Sequence, residues 1–261
     1  MTDLTRLATG ASMQLLCGRS AIITGAAQGI GRAMVDSFIE QGATVLAVDI
    51  KPLDGLLDAY AGPEGLHVLQ LDITQPAAPE RIMRAASERM GGLDILINNA
   101  GISSFIPIAE TSDSAWDEVL ALNLSSVFRL CRDAVPLLKA SSSGRIINIG
   151  SVMSTFGGAG LCAYAASKHG VAGLTKCLAS ELGEFAITAN FIQPGAILTE
   201  ITRGSIQQYP QMEAFWRDKA ALGRWGEPSD IAPVAVFLAS DLGAFVSGTG
   251  LVADGGAMQA P

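Results

Sequence analysis

Tyr164 and Lys168 stand four residues apart in the run Tyr164-Ala165-Ala166-Ser167-Lys168, and Ser151 lies thirteen residues before the tyrosine. On a helix, residues at i and i+4 share a face, so this spacing predicts an ammonium beside a phenol. Positive charge favours phenolate by Coulomb attraction and draws a group that ordinarily titrates at about 10 toward neutral pH. Far upstream, Thr24-Gly25-Ala26-Ala27-Gln28-Gly29-Ile30-Gly31 follows a predicted strand and leads into a predicted helix over 32–41. Glycines at 25, 29 and 31 let a ligand approach the backbone closely, and the helix amino end attracts phosphate. A proton-exchanging group and a diphosphate cradle in one chain point to proton transfer beside a bound dinucleotide.

The nature of that dinucleotide is legible at the next strand end. Asp49, eighteen residues beyond Gly31, is placed to accept both ribose hydroxyls of an adenosine and to repel a 2′-phosphate, which favours NAD over NADP. Gln28 is neutral where a phosphate-binding arginine could sit, although Lys51 is a nearby cation that points the other way. Asp72 and Ile73 can hydrogen-bond and pack an adenine. Asn99, Ala100 and Gly101, after Asn98, offer small residues against which a ribose can lie. Plain turn formation is the alternative for these Asp, Asn and Gly residues.

The elements that must position these groups follow from the apolar pattern. Runs over 20–24, 44–49, 67–71, 93–98, 145–150, 188–193 and 250–252 read as strands, and the intervals between them have helix length. Each run is nearly continuous in apolar residues, as expected of strands covered on both faces. Strand and helix alternate, which predicts an α/β protein: a single-domain Rossmann fold with a doubly wound parallel sheet of about seven strands. Right-handed crossovers bring the strand carboxyl ends to one edge, where a ligand binds. Residues 1–16 read as an extension, 17–261 as the domain, 52–65 as a short helix and turn, and about 198–222 as a lid over the substrate, with a surface helical hairpin as the alternative.

Composition narrows the function class. With 261 residues, 49% of them hydrophobic, the chain can bury a large core. A net charge of -8 argues against nucleic acid as a partner. No run approaches the roughly 20 apolar residues needed to span a membrane, and no secretory signal is evident, so a cytoplasmic location is expected. The cysteines at 17, 131, 162 and 177 form no C-x-x-C pair, and His67 and His169 are the only histidines, so no metal is expected.

From Thr24-Gly25 through Asn98–Gly101, Asn123, Ser151, Tyr164, Lys168 and Pro194-Gly195, the chain resembles the short-chain dehydrogenase/reductase family over nearly its whole length. The resemblance implies a nicotinamide cofactor, hydride transfer between it and a carbonyl or secondary alcohol, and a homotetramer. It implies that Tyr164 is the general base in oxidation and the general acid in reduction, and that Lys168 holds the nicotinamide ribose and depresses the tyrosine pKa. Ser151 would hydrogen-bond the substrate oxygen, and Asn123 would organise a water chain from the lysine to solvent. Ile197 and Thr199, after Pro194 and Gly195, match positions that contact the cofactor's carboxamide and phosphate. Glu200 adds a carboxylate near the lid, either a substrate contact or a solvated charge.

Ser103, Ser104 and Phe105, then Met153 and Ser154, and Phe156-Gly157-Gly158 are expected to line the substrate pocket with the lid. Hydroxyls mixed with apolar surface suit a small polyol, sugar or sugar acid rather than a long acyl chain. One competitor is a 3-oxoacyl-[acyl-carrier-protein] reductase, which the resemblance allows with the same catalytic residues. Another is a dinucleotide-binding protein without turnover.

Overall fold

The computed structural model describes residues 14–60 and 65–259. Seven strands, β1 (Ser20–Thr24), β2 (Thr44–Asp49), β3 (Leu66–Gln70), β4 (Ile95–Asn98), β5 (Arg145–Ile149), β6 (Thr188–Pro194) and β7 (Gly250–Ala253), form one parallel sheet ordered β3-β2-β1-β4-β5-β6-β7. Every residue of β1, β4, β5 and β6 is buried, which is why these segments are apolar almost without interruption. Successive side chains point to opposite faces. Ala21 and Ile23 therefore pack into a layer with Met34, Val35 and Phe38 of α1 (Gly29–Glu40) and Ile231 and Leu238 of α9 (Pro228–Ala239). Ile22 faces the other layer, with Ile82 and Met83 of α3 (Ala78–Met90) and Leu130 and Leu138 of α5 (Ser126–Ala140). Each large aliphatic side chain buried this way stabilises the fold by about 1.5–3 kcal/mol.

β2 and β3 lie on one side of β1, and β4 to β7 lie on the other. The winding direction thus reverses between β1 and β4, opening a crevice at the carboxyl ends of these strands. Short α2 (Asp54–Ala59) follows β2. α4 (Asp113–Leu120) runs into α5 through one π-turn, Ala121–Ser125, and α6 (Cys162–Leu182) follows β5. α7 (Glu200–Gln208) and α8 (Gln211–Lys219) follow β6 at that edge.

The boundaries differ from the sequence expectation at a few places. α1 begins at Gly29 rather than Arg32, because Gln28 serves as its extended cap and the first turn already includes Gly29 and Gly31. β3 is one residue earlier than expected, in register with β2 from Val45↔Leu66 to Asp49↔Gln70. β4 starts at Ile95 because Asp94 is occupied in accepting hydrogen bonds from the Ser20 amide and hydroxyl. Of the extension expected over 1–16, residues 1–13 lie outside the described residues, while Leu16 is fully buried in the core and its amide donates to Gln41. Among the described residues no helix is long and apolar enough to cross a membrane.

Candidate active site

The glycine-rich turn after β1 is built by close approach. Gly25 has φ 67°, and a Cβ there would lie 2.8 Å from both Ala100 Cα and Asn99 Nδ2. A Cβ on Gly31 would collide with the Gly25 carbonyl. Asn99 locks this arrangement: its Nδ2 donates to the carbonyls of Thr24 at 2.8 Å and Gly25 at 3.1 Å. The Thr24 hydroxyl in turn accepts from the amides of Asn99 and Ala100. Asn99 thus turns away from the crevice and shapes the loop. No side chain caps α1, whose amino end and Ile30 lie where a diphosphate would be held.

Asp49, 9% exposed, ends β2 beside that loop. Its Oδ2 accepts from the Ala27 amide and its Oδ1 from the Lys51 amide, each at 2.9 Å. Two bonds fix the carboxylate while leaving lone pairs for ribose hydroxyls, since a carboxylate can accept about four hydrogen bonds. The Lys51 ammonium donates to Gln28 Oε1 at 2.7 Å, joining the two residues that the sequence weighed against each other for cofactor choice. At the end of β3, Asp72 Oδ1 is held by the amide and hydroxyl of Thr74, and Ile73 is buried in the core.

The chemical groups gather across the crevice. Ser151 follows β5, and its hydroxyl accepts from the Met153 amide at 3.1 Å, while the Ser154 hydroxyl accepts from the Ser151 amide at 3.2 Å. Ser154 is therefore turned inward as a cap and does not line a pocket as expected. Tyr164 and Lys168 share a face of α6, with the Lys168 Nζ 5.6 Å from the phenol ring centre. That ammonium donates to the Ile149 carbonyl at 2.7 Å and is almost completely buried. Burial pushes the Lys168 pKa down to about 8. Burial also pushes Tyr164 above its ordinary value, opposed by the neighbouring Ser151 hydroxyl. Burial of the phenol works against the depression expected from the lysine, whose ammonium is turned to the Ile149 carbonyl.

Asn123 sits in the π-turn and is buried. Its Oδ1 accepts from the Ile102 amide, and its Nδ2 donates to the Ile102 carbonyl and to the Ser167 hydroxyl. The side chain ties the loop after β4 to α6. A Cβ on Gly101 would lie 3.1 Å from Asn123 Oδ1 and 3.7 Å from Lys168 Nζ, which measures how closely these groups converge.

Residues beyond β6 complete the edge. Gly195 packs against Asp254, at 2.7 Å from an added Cβ, and Pro194 ends the strand. The Ile197 side chain is in the core. Its neighbours Ala196 and Leu198 make the bridge to Gly226, and its carbonyl accepts from the Thr202 hydroxyl. Thr199 faces the phosphate loop, with Cγ2 3.3 Å from a Cβ built on Gly29. On the substrate side Ser103 is exposed and Met153 is buried. The Phe105 ring abuts Gly160 and meets the Tyr209 ring at 5.6 Å between centres, which brings the 198–222 segment against the loop after β4.

One set of residues beneath the site was not singled out from sequence. Asn98 Nδ2 donates to Asn148 Oδ1 at 2.8 Å, Asn148 Nδ2 to the Thr175 hydroxyl at 2.9 Å, and that hydroxyl to the Val171 carbonyl at 2.7 Å. This buried polar line fixes β4, β5 and α6 relative to one another. Its signal in the sequence was an asparagine in each of two buried strands, a costly placement unless the amides are paired.

Residues 25–258 match the family model described as enoyl-(acyl carrier protein) reductase. The chain is 38% identical over 241 residues to the 3-oxoacyl-[acyl-carrier-protein] reductase of Escherichia coli (strain K12), covering 92% of this chain and 97% of that one. A solved structure from Agrobacterium tumefaciens, provisionally designated a gluconate dehydrogenase, superposes with a TM-score of 0.89 at 30% identity over 95% of this chain and 99% of its own. Another, from Beutenbergia cavernae, provisionally designated an NAD(P)-dependent gluconate 5-dehydrogenase and carrying NADP at low occupancy, gives 0.87 at 36% identity over 95% and 100%.

Proposed function

The chain belongs to the short-chain dehydrogenase/reductase family of oxidoreductases, and from that premise we propose that it transfers a hydride between NAD and the carbon of a secondary alcohol or ketone, with a small sugar acid or polyol as substrate. The observation that carries this is the convergence of Ser151, Tyr164 and Lys168 on the carboxyl edge that also holds the glycine loop and Asp49. The residues fit a dinucleotide: the turn is too close-packed to tolerate Cβ atoms at Gly25 and Gly31, and the amino end of α1 has no side-chain cap. Asp49 would hold the adenosine ribose, Thr199 and the Ile30 turn the diphosphate, and Lys168 the nicotinamide ribose. Bound NAD would supply the hydride acceptor in oxidation, and its reduced form the donor in reduction.

The protein's own part is the proton and the alignment. Ser151 holds the substrate oxygen, and Tyr164 takes the hydroxyl proton in oxidation or returns one in reduction. Turning the Lys168 ammonium from the Ile149 carbonyl toward a bound ribose would bring positive charge to the phenol edge and lower its pKa. Ser103, Met153, Phe105 and Tyr209 supply the mixed polar and apolar wall that suits a hydroxylated chain.

Sugar-acid chemistry is favoured by that wall and by the designations of the two solved relatives. Reduction of a 3-oxoacyl thioester is the second reading, favoured by the 38% identical reductase. Absorbance of reduced nicotinamide, followed over sugar acids, polyols, simple secondary alcohols and 3-oxoacyl esters with each cofactor, separates them. NAD-linked oxidation of a sugar acid or polyol is expected; NADPH-linked reduction confined to 3-oxoacyl esters would overturn the substrate and cofactor assignments together.

A further inference from the structure

Glu200 is the exposed first residue of α7, and its carboxylate lies beside the phosphate loop: Oε2 is 3.4 Å from a Cβ built on Gly29. Thr199 makes the same approach at 3.3 Å. Gly29 opens α1 and Glu200 opens α7, helices of 12 and 9 residues, so the carboxylate lies close to the amino end of each. Each such end carries about half a positive charge, so an anion placed between them is attracted by both. The sequence supplies that anion itself, and among the described residues no lysine or arginine forms an ion pair with Glu200.

A carboxylate there is attracted to the two helix ends while the site is empty, but it repels a diphosphate placed at the amino end of α1. We infer that Glu200 is an internal competitor of the cofactor's diphosphate. It neutralises the paired helix ends until the cofactor arrives and turns away, with the first turn of α7, when the diphosphate enters. Because α7 leads directly to Tyr209, whose ring lies on Phe105, displacement of Glu200 couples cofactor uptake to the segment over the substrate side. This rests on the proposal that the crevice binds a dinucleotide.

Calorimetric titration of the full-length chain and of Glu200→Gln tests it, with NAD, ADP-ribose and adenosine as probes. Glutamine keeps the size of the side chain and removes only its charge. NAD and ADP-ribose should bind the variant roughly fivefold or more tightly than they bind the wild type, while adenosine, which has no phosphate, binds both alike. Unchanged or weaker binding of NAD and ADP-ribose to the variant would overturn the inference while leaving the cofactor proposal intact, and so would an equal gain for adenosine. A wild-type chain that bound neither NAD nor ADP-ribose would overturn the cofactor proposal as well.

Discussion

Among single residues, Lys168 and Asp49 carry the most chemistry. Burial lowers the lysine pKa from its ordinary 10.5 to about 8 in the folded chain. Between those values the unfolded chain binds the extra proton, so folding is penalised fully below pH 8 and the penalty fades as the pH rises. Lys168→Met removes the group and the penalty. The stability gap between the ligand-free variant and the wild type, measured by urea unfolding, should favour the variant at pH 7 and shrink from pH 8 upward, by at most about 1.4 kcal/mol per pH unit. A gap independent of pH would contradict the assigned burial. For Asp49, Asp49→Ala should raise KM for NAD tenfold or more, and the NADP to NAD ratio of kcat/KM should shift toward NADP as Lys51 loses its carboxylate neighbour. An unchanged ratio would show that the ribose is read elsewhere. The roles proposed for Tyr164, Lys168 and Ser151 came from the family resemblance, supported by the four-residue spacing that sets Tyr164 and Lys168 on one helix face. The balance of their pKa values was not legible, because desolvation depends on what folds over them.

At the level of elements, the glycine turn depends on Asn99 from a loop some seventy residues away. Asn99→Ala deletes the donors to the Thr24 and Gly25 carbonyls at a cost of about 1–3 kcal/mol. It should lower the unfolding midpoint and weaken NAD binding more than it changes kcat, a split visible in steady-state kinetics and calorimetry. If stability fell with NAD affinity intact, the loop would not depend on this clamp for its ligand-binding shape. The strands were readable because two-sided burial favours apolar residues at most positions, whereas the start of α1 was hidden by glycines that a pattern reads as loop. Asn123 was singled out by resemblance, but its hydrogen bonds to Ile102 and Ser167 join segments far apart in sequence. No local pattern could supply that contact, and the π-turn that holds it leaves no mark in apolar periodicity.

For the whole molecule, the alternation of strands and helices led to the parallel sheet, and the reversal of winding between β1 and β4 placed the crevice where the motifs required it. The position of the 198–222 segment was less accessible from sequence, since it is set by long-range contacts of Thr199 with Gly29 and of Tyr209 with Phe105. Those contacts join the cofactor half and the substrate half into one site around Tyr164. Tyr164→Phe removes a single oxygen and leaves that site otherwise whole, so hydride transfer from the substrate that emerges from the panel should be compared in the wild type and this variant, with NAD binding measured on both. A fall in kcat of about a hundredfold or more at unchanged NAD affinity is predicted; turnover that persisted in the variant would contradict the assignment of Tyr164 as the group that moves the proton.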